Sequence, residues 1–263
     1  MSNISFRLGD EFIVRLPQSP RDARRLETEF TWLPRLSKQL SLPIAQPLEL
    51  GQATERYPWP WAVYRWIDGA VALPQNIANL PRFAEQLASF LKELQSIDPD
   101  GAPQAGAESH YRGGPLARYD GEAREAISRL QGRMDASVAT ALWDQALTSK
   151  WAGDPVWFHG DVSAENLLVR DGSLCGVIDF GNFGIGDPAC DLAMGWNIFD
   201  DQSRQAFRSV LPVDEGTWNR GRAWVLWKAM IIASGLCHGN AYESSLAEPI
   251  IARTLHDFRT ANR

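Results

Sequence analysis

The chain has 263 residues, 44% of them hydrophobic, so it can bury a substantial core in one large domain or in two lobes. Its formal net charge of -6 makes a nucleic-acid backbone an unfavourable partner. Three cysteines without CxxC spacing and four scattered histidines predict neither a disulfide framework nor a metal cluster. The longest apolar stretch, residues 223–237, is too short to span a bilayer and contains Lys228, and no leader pattern is present. We therefore expect a soluble, cytoplasmic protein.

The first part of the chain carries the pattern of a small sheet with one helix. Alternating apolar and polar residues around a Gly-Asp turn predict a β-hairpin over residues 4–8 and 11–16. A Ser-Pro start ahead of an apolar helical face predicts a helix, with a kink or break at Pro34. Two more strands are expected at residues 44–51 and 61–69, which gives the order β-β-α-β-β.

Helical patterns dominate after residue 69. The interpretation is a small sheet-rich lobe of residues 1–69, connected near residues 65–70 to a larger helical lobe of residues 70–263. Residues 1–69 are near neutral and the larger lobe carries about seven net negative charges, which favours a cationic ligand, although many solvated surfaces are equally acidic. The predicted helices and strands of this part occupy residues 80–98, 119–130, 135–147, 156–158, 167–170 and 175–179, and the chain is expected to be mostly helical from Asp187 onward.

Polar residues interrupt an apolar, strand-like stretch at residues 157–181, which reads WFHGDVSAENLLVRDGSLCGVIDFG. An HGD triplet is followed by four residues and an Asn, then by a predicted strand, a turn and a strand that ends in DFG. This order and spacing resemble the phosphotransferase core of kinases. The Gly of HGD and the block IDFGNFGIGDPACDLA, residues 178–193, are typical of the aminoglycoside phosphotransferase family. The similarity continues through FRLGDEFIVRLP, LETEFTWLPRL and YPWPWAVYRWIDG, so it extends over nearly the whole chain.

The resemblance implies an α+β, bilobal protein-kinase-like fold, with a small antiparallel-sheet lobe for the nucleotide and a larger, mainly helical lobe. It implies an ATP-dependent transfer of the γ-phosphate to a hydroxyl of a small molecule, with Mg²⁺ as cofactor and GTP as an alternative donor. Asp161 is then the catalytic residue, because a carboxylate can orient the hydroxyl and accept its proton. Asn166 and Asp179 are then the Mg²⁺ ligands, since this cation prefers oxygen donors.

Three further residues are expected to support this site. His159 is expected to brace the catalytic loop by hydrogen bonds rather than to take part in the chemistry. Asp187 is expected to cap a helix that has Pro188 at its first position. Asp191 follows four residues later on the same helix face, from which it can reach either the loop or the acceptor.

The nucleotide site implied by the resemblance departs from the usual pattern at one position. Arg15 stands where relatives usually carry a strand lysine, and it can still bind a phosphate or a carboxylate. Glu29 is its expected partner, with Glu27 a poorer second, and the alternative is an ordinary surface pair. The adenine is expected on the segment that joins the lobes, where Tyr64 and Trp66 would either stack on the base or pack the lobe interface. The residues assigned to the nucleotide are Ser2, Asn3, Arg15, Glu29, Tyr64, Arg65, Trp66 and Ile67.

The N-terminal lobe looks truncated against the family pattern. Relatives generally begin earlier, with a strand that feeds a Gly-rich phosphate loop, whereas this chain starts inside the following turn, so that Ser2 and Asn3 are what remains of the loop. Either the true start lies upstream of Met1, or the chain lacks the strand, which would expose a sheet edge and weaken the cover over the phosphates. Asn182 also stands where many relatives carry Asp after DFG.

The acceptor is expected between the catalytic loop and the C-terminal helices from Ala223 onward. The acidic balance of the large lobe suits a cationic acceptor such as an aminoglycoside. Choline, homoserine, methylthioribose and macrolides are the alternatives, because the same family phosphorylates them. A second hypothesis is a non-catalytic, pseudokinase-like nucleotide-binding module, whereas a protein kinase is disfavoured because no APE-like segment follows Gly181. The carboxylates that favour a cationic acceptor are Asp191, Asp200, Asp201, Asp214 and Glu215.

Overall fold

The computed structural model describes residues 3–262. A small antiparallel sheet with one helix forms the N-terminal region, and a larger, mainly helical region follows. The strands are β1 (Ile4–Leu8), β2 (Phe12–Leu16), β3 (Pro47–Gly51), β4 (Trp61–Arg65), β5 (Ala70–Val71), β6 (Val156–Phe158), β7 (Leu167–Arg170), β8 (Ser173–Val177) and β9 (Gly184–Gly186). The α-helices are α1 (Pro20–Leu36), α2 (Leu80–Ser96), α3 (Asp120–Arg129), α4 (Ala136–Thr148), α5 (Met194–Asn197), α6 (Asp201–Val210), α7 (Glu215–Ala233) and α8 (Ala241–Ala261). Short 3₁₀ helices span Pro74–Asn76, Leu116–Tyr119, Ala164–Asn166 and Pro188–Ala193.

The N-terminal sheet has the strand order β1-β2-β4-β3, with every neighbour antiparallel. The predicted hairpin is confirmed: β1 and β2 pair in the register that sets Phe6 opposite Val14. In the described part of the chain, β1 pairs on one side only, and its apolar side chains are exposed to solvent. The exposed fractions are 43% for Ile4, 55% for Phe6 and 53% for Leu8, so β1 is an open edge of the sheet.

Helix α1 packs its apolar face against strands β3 and β4. It begins at a capped end, because the Ser19 side chain accepts the N–H of Asp22 and Pro20 occupies the first turn, where no intrahelical N–H bond is needed. The expected break at Pro34 is wrong, since the helix continues to Leu36. Pro34 lies in the last turn, where only one main-chain hydrogen bond is lost and little helix remains to be disrupted.

The helical region is built around α7, which is buried on most of its circumference. It packs against α3, α4 and α8, and this agrees with the prediction of a buried helix from its continuous apolar sequence. One hydrophobic cluster of buried side chains contains Leu26 and Tyr64 of the N-terminal region as well as Phe83 and Trp157 of the helical region. The two regions therefore share a continuous core. None of the helices described between residues 3 and 262 is long and apolar enough to cross a membrane.

Two small sheets in the helical region position the polar residues of the segment 157–181. Strands β7 and β8 form a hairpin that also pairs with β5, and β6 pairs antiparallel with β9. The HGD triplet follows β6, and the DFG triplet lies between β8 and β9. Because β6 and β9 are antiparallel, the segment that follows β6 and the segment that precedes β9 lie at the same end of this strand pair.

Candidate active site

The loop after β6 is held by a buried carboxylate. Asp191 is fully buried, and its two oxygens accept the backbone N–H groups of His159 and Gly160, each at 2.7 Å. Burial raises the pKa of Asp191, although these two hydrogen bonds act in the opposite direction. Gly160 has φ +82°, and a Cβ there would lie 2.5 Å from the carbonyl oxygen of Asn182, so only glycine fits. The backbone that carries Asp161 is therefore fixed from both sides.

His159 links this loop to the DFG segment. The Asp161 N–H donates to Nδ1 of His159 at 3.2 Å, which makes Nδ1 the acceptor and leaves Nε2 to donate to the carbonyl of Ile178 at 3.0 Å. The ring also makes an edge-on contact with Phe180, with centroids 4.5 Å apart. His159 is fully buried, and this geometry agrees with the bracing role expected for it.

Asn166 and Asp179 come together with Asp161, as the sequence predicted. The side-chain N–H of Asn166 donates to the main-chain carbonyl of Asp161 at 2.9 Å. This hydrogen bond leaves Oδ1 of Asn166 as an acceptor that points away from the carbonyl. Asp179 adopts φ +60°, a left-handed conformation that is uncommon outside glycine. The carboxylates of Asp161 and Asp179 border two adjoining cavities, and Asn166 borders one of them.

The oxygen donors of Asn166 and Asp179 fit a hard divalent cation such as Mg²⁺. Within residues 3–262, no group of three or more His, Cys, Asp or Glu side chains is arranged to hold a metal by itself. Mg²⁺ usually takes one or two protein ligands and completes its coordination with water and nucleotide phosphates. The two residues therefore suit a metal that arrives with a nucleotide.

The cavity between the N-terminal sheet and the DFG segment has a volume of about 410 Å³. We call it the sheet-side cavity. Its lining combines three arginines of β2 and α1 with four carboxylates, of which Asp161 and Asp179 also line the second cavity described below. Cations beside the metal-ligating carboxylates are the arrangement expected around a metal-bound polyphosphate. The residues that line it are Asn3, Arg15, Gln18, Ser19, Arg21, Asp22, Arg25, Glu29, His110, Asp161, Asp179, Gly181 and Asn182.

Arg15 connects the N-terminal sheet to the DFG segment. Its Nη1 lies 3.1 Å from Oε2 of Glu29, and its Nη2 lies 3.0 Å from Oδ1 of Asp179. The Tyr64 hydroxyl donates to the same oxygen of Glu29 at 2.7 Å. Glu29 is only 2% exposed and the Arg15 side chain 14%, so the alternative of an ordinary surface pair is wrong.

The ionisation of these groups follows from their contacts. Burial lowers the pKa of Arg15, but the carboxylates of Glu29 and Asp179 outweigh it and leave the pKa raised. Burial likewise opposes ionisation of Asp179, but the adjacent guanidinium of Arg15 dominates and holds the pKa of Asp179 below its usual value. Arg15 and Asp179 are therefore both charged at neutral pH.

The residues assigned to the adenine do not border the sheet-side cavity. Tyr64 is 1% exposed and its hydroxyl binds Glu29, so of the two roles left open for it, packing is the one observed. The indole N–H of Trp66 donates to Asp68, and the backbone N–H groups of Arg65 and Trp66 bind the carbonyls of Gln46 and Glu11. Ile67 is half-buried, Asn3 lines the cavity as expected, and Ser2 lies outside the described residues.

Sequence reasoning missed the loop of residues 106–113, which reaches back to α1. Arg21 of α1 donates to the Glu108 carbonyl at 3.0 Å, and Arg24 lies 3.3 Å from the Glu108 carboxylate. Arg21 also contacts Nδ1 of His110 at 3.2 Å. Partial burial and nearby arginines lower the pKa of His110 to about 4, so the neutral ring accepts this hydrogen bond. Arg112 of the same loop donates to the carbonyl of Gly160 at 3.0 Å.

The second cavity, of about 430 Å³, lies between the catalytic loop and helices α7 and α8. We call it the helix-side cavity. Trp224 and Trp227 form an apolar wall, and Tyr242 adds another aromatic side chain. Asn240 donates to Glu165 at 3.1 Å across its rim. The helix-side cavity therefore combines aromatic side chains with the carboxylate of Glu165, and it shares Asp161 with the sheet-side cavity.

The five carboxylates from which the sequence analysis inferred a cationic acceptor do not line the helix-side cavity. Asp191 holds the catalytic loop, and Asp200 and Asp214 cap helices α6 and α7. The remaining two carboxylates form ion pairs with arginines: Asp201 with Arg204, and Glu215 with Arg208. Each of these carboxylates therefore has a local structural role. Asp is a strong N-cap residue, and an exposed Glu pairs readily with arginine. The acidic groups that do line the helix-side cavity, besides Asp161 and Asp179, are Glu165 and Glu243, together with the cations Arg112 and Lys228.

Asp187 caps the 3₁₀ helix of Pro188–Ala193 by accepting the N–H of Ala189. Its two oxygens also pair with Arg220 of α7, at 2.6 Å and 3.3 Å. The expectation that Asp187 and Asp191 share one helix face is wrong, because a 3₁₀ helix has three residues per turn and rotates the two apart. Asp187 therefore anchors α7, whereas Asp191 anchors the catalytic loop.

Comparison with known proteins agrees with this geometry. A family model described as the phosphotransferase enzyme family (APH) matches residues 1–224. An aminoglycoside 3′-phosphotransferase of Salmonella typhimurium is 46% identical over 162 residues, which are 54% of this chain and 54% of that protein. The chain spans 18% to 54% of the lengths of the curated aminoglycoside 3′-phosphotransferases that it matches.

Solved structures show the same fold. The GDP complex of wild-type aminoglycoside 2′-phosphotransferase-IIIa superposes with a TM-score of 0.70 at 18% identity, covering 97% of this chain and 90% of that one. A macrolide 2′-phosphotransferase from Brachybacterium faecium gives a TM-score of 0.57 at 17% identity, covering 95% of this chain and 91% of that one. The kinase-like fold expected from the sequence is thereby confirmed. The chain belongs to the phosphotransferase enzyme family.

Proposed function

We propose that the protein transfers the γ-phosphate of ATP, or of GTP, to a hydroxyl group of a small molecule in the cytoplasm. The observation that carries this proposal is the position of Asp161, whose side chain borders both cavities. A nucleotide in the sheet-side cavity and an acceptor in the helix-side cavity would meet at this carboxylate. Family membership and the nucleotide complexes of structural neighbours support the assignment.

Asp161 acts as the base in a direct, in-line transfer. The acceptor oxygen forms a bond to the γ-phosphorus while the bond from that phosphorus to the β–γ bridging oxygen breaks. The nucleoside diphosphate leaves with the electron pair, and the hydroxyl proton passes to the Asp161 carboxylate. Asp191 and His159 hold this carboxylate in place through the loop backbone, so its orientation is set before the acceptor binds.

Asn166 and Asp179 would hold Mg²⁺, which supplies charge neutralisation on the phosphates when bound. Arg15 is tied to Glu29, so its guanidinium is fixed at the sheet-side wall, where it can bind a nucleotide phosphate. The catalytic assignment of Asp161, the metal assignment of Asn166 and Asp179, and the nucleotide assignment of Arg15 form one constellation around the boundary between the cavities.

The helix-side cavity suits a hydroxylated amino sugar of the aminoglycoside type. The half-buried Tyr242 offers an aromatic ring for a sugar, the buried Trp224 and Trp227 add apolar surface to the wall, and the exposed Glu165 offers a carboxylate for an ammonium group. The curated relatives named as aminoglycoside 3′-phosphotransferases support this acceptor class.

The test is an assay of acceptor-stimulated ADP release with a panel of amino sugars, amino alcohols and macrolides. In Asp161→Asn, we expect turnover to fall by about 10³-fold or more while MgATP affinity stays close to that of the wild type. Asp154→Asn, an exposed position ahead of β6, is the matched control and should keep full turnover. Full turnover in Asp161→Asn would reject this residue as the base. MgATP binding without release of ADP for any acceptor would favour the non-catalytic binding module instead.

A further inference from the structure

Arg25 is a cation of the sheet-side cavity that neither the motif nor the family pattern assigned. It lies on α1 one turn before Glu29, so the two side chains share a helix face. It borders the cavity together with Arg15, Asp161 and Asp179. Arg15 is committed to two carboxylates, whereas Arg25 forms neither an ion pair nor a hydrogen bond with any residue between 3 and 262.

The DFG glycine determines where Arg25 can lie. A Cβ on Gly181 would stand 2.2 Å from Nη2 of Arg25 and 3.2 Å from Oδ1 of Asp179. The guanidinium therefore fills the space that the missing side chain leaves, beside the carboxylate assigned to Mg²⁺. Any larger residue at this position would displace the Arg25 guanidinium from this space.

The electrostatic environment of Arg25 is that of a cation lacking its counter-ion. Burial lowers the pKa of Arg25, the nearby cations Arg21 and Arg15 act in the same direction, and the carboxylates of Glu29 and Asp179 offset this only in part. A partly buried guanidinium without a partner is unfavourable, and an anionic ligand in the cavity would remove that penalty. A phosphate group matches the planar donors of arginine, which can bind two of its oxygens at once.

We propose that Arg25 binds the terminal phosphate of the nucleotide and stabilises the negative charge that develops on it during transfer. This inference rests on the proposed function. The transferred group must lie next to Asp161, which also lines the sheet-side cavity, and Arg25 is the one cation of the described lining that is both unpaired and beside Asp179. Arg15, held by Glu29, then contacts the phosphates that stay with the leaving group.

The test compares Arg25→Gln with Arg24→Gln, which removes the neighbouring, solvent-facing arginine of the same helix. Titration calorimetry with ATP and with ADP, both with Mg²⁺, measures the contact to the terminal phosphate. In Arg25→Gln, we expect ATP affinity to fall by about 10-fold or more while ADP affinity changes little, as a lost charged hydrogen bond predicts. We expect kcat to fall by about 10²–10³-fold, with little change in the KM of the acceptor. Arg24→Gln should match the wild type in every measurement.

Gly181→Ala gives an independent route to the same result, because it displaces the Arg25 guanidinium without removing its charge. We expect the same preferential loss of ATP affinity over ADP affinity, with α1 intact by circular dichroism. Equal losses for ATP and ADP in Arg25→Gln, or a kcat equal to that of Arg24→Gln, would overturn the role of Arg25. If the wild-type protein itself transfers no phosphate, the proposed function fails, and this inference with it.

Discussion

Arg15 Nη2 lies 3.0 Å from Oδ1 of Asp179, so a cation of the N-terminal sheet contacts the carboxylate that we assign to Mg²⁺. The other half of the guanidinium contacts Glu29 at the same time. Arg15 therefore neutralises Asp179, and a Mg²⁺–nucleotide complex would share this carboxylate with Arg15. The ion pair couples the geometry of the sheet to that of the metal site.

Replacing Arg15 should affect stability as well as nucleotide binding. In Arg15→Met, Glu29 remains buried with only the Tyr64 hydroxyl as a partner, and we expect the free energy of unfolding to fall by about 3–5 kcal/mol. The double variant Arg15→Met, Glu29→Gln removes both charges and should recover most of this loss without recovering MgATP affinity. Urea unfolding and calorimetry measure the two effects. An equal loss of stability in the single and double variants would contradict the buried pair as its cause.

Asp179→Asn tests the metal assignment without disturbing the backbone. Asn adopts the left-handed conformation nearly as readily as Asp, so the φ of +60° is retained. We expect the dependence of ATP affinity on Mg²⁺ to be lost, while metal-free ATP binding changes little. Asp171→Asn, at another left-handed position on the surface turn between β7 and β8, is the matched control. Wild-type Mg²⁺ dependence in Asp179→Asn would remove this residue from the metal site.

Asp191 should be essential for the position of the catalytic loop. In Asp191→Ala, the buried N–H groups of His159 and Gly160 lose their acceptors, which costs about 1–3 kcal/mol for each group. We expect turnover to fall with the loss of loop order, while ADP affinity persists. Asp200→Ala, which removes only the cap of α6, should cost about 1 kcal/mol and leave turnover unchanged. Similar losses in the two variants would argue against a special role for Asp191.

His110 should contribute a pH-dependent part of the stability. Its pKa is lowered from 6.5 to about 4, so between these values the unfolded chain binds more protons than the folded protein, and stability decreases as pH falls. His110→Gln should make the free energy of unfolding less sensitive to pH in this window. The effect should be small because solvent screens the exposed ring. His256→Gln, exposed on α8, is the control, and an unchanged pH slope in His110→Gln would contradict the contact with Arg21.

The elements that could be predicted from the sequence are those with a local signal. The alternation in β1 and β2 fixes their hairpin, and the continuous apolar stretch of α7 indicates a buried helix. Strand β9 was not predicted, because its sequence Gly-Ile-Gly has little intrinsic strand preference and it forms only by pairing with β6. The burial of Tyr64 could have been read from the alternation along β4, which places it on the same face as the fully buried Ala62.

The candidate site also contains residues that the sequence predicts and one that only the tertiary structure reveals. The spacing of Asp161, Asn166 and Asp179 within a recognisable motif predicted that they would come together, and the structure places them at one boundary between cavities. The site of Arg25 could not be predicted, since one more arginine on an amphipathic helix is indistinguishable in sequence from a solvated one. Its location depends on the packing of α1 over Gly181, which is a tertiary contact.

The contacts of Glu108 with Arg21 and Arg24 join the loop of residues 106–113 to α1. The chain itself connects the N-terminal region to the helical region between β4 and β5, and these contacts add a second, non-covalent connection between the same two regions. Because the Arg24 and Glu108 side chains are exposed, added salt should weaken this ion pair while leaving the buried contact between Arg15 and Glu29 largely unscreened. The surface connection between the two regions is therefore more sensitive to ionic strength than the buried ion pair of the sheet-side cavity.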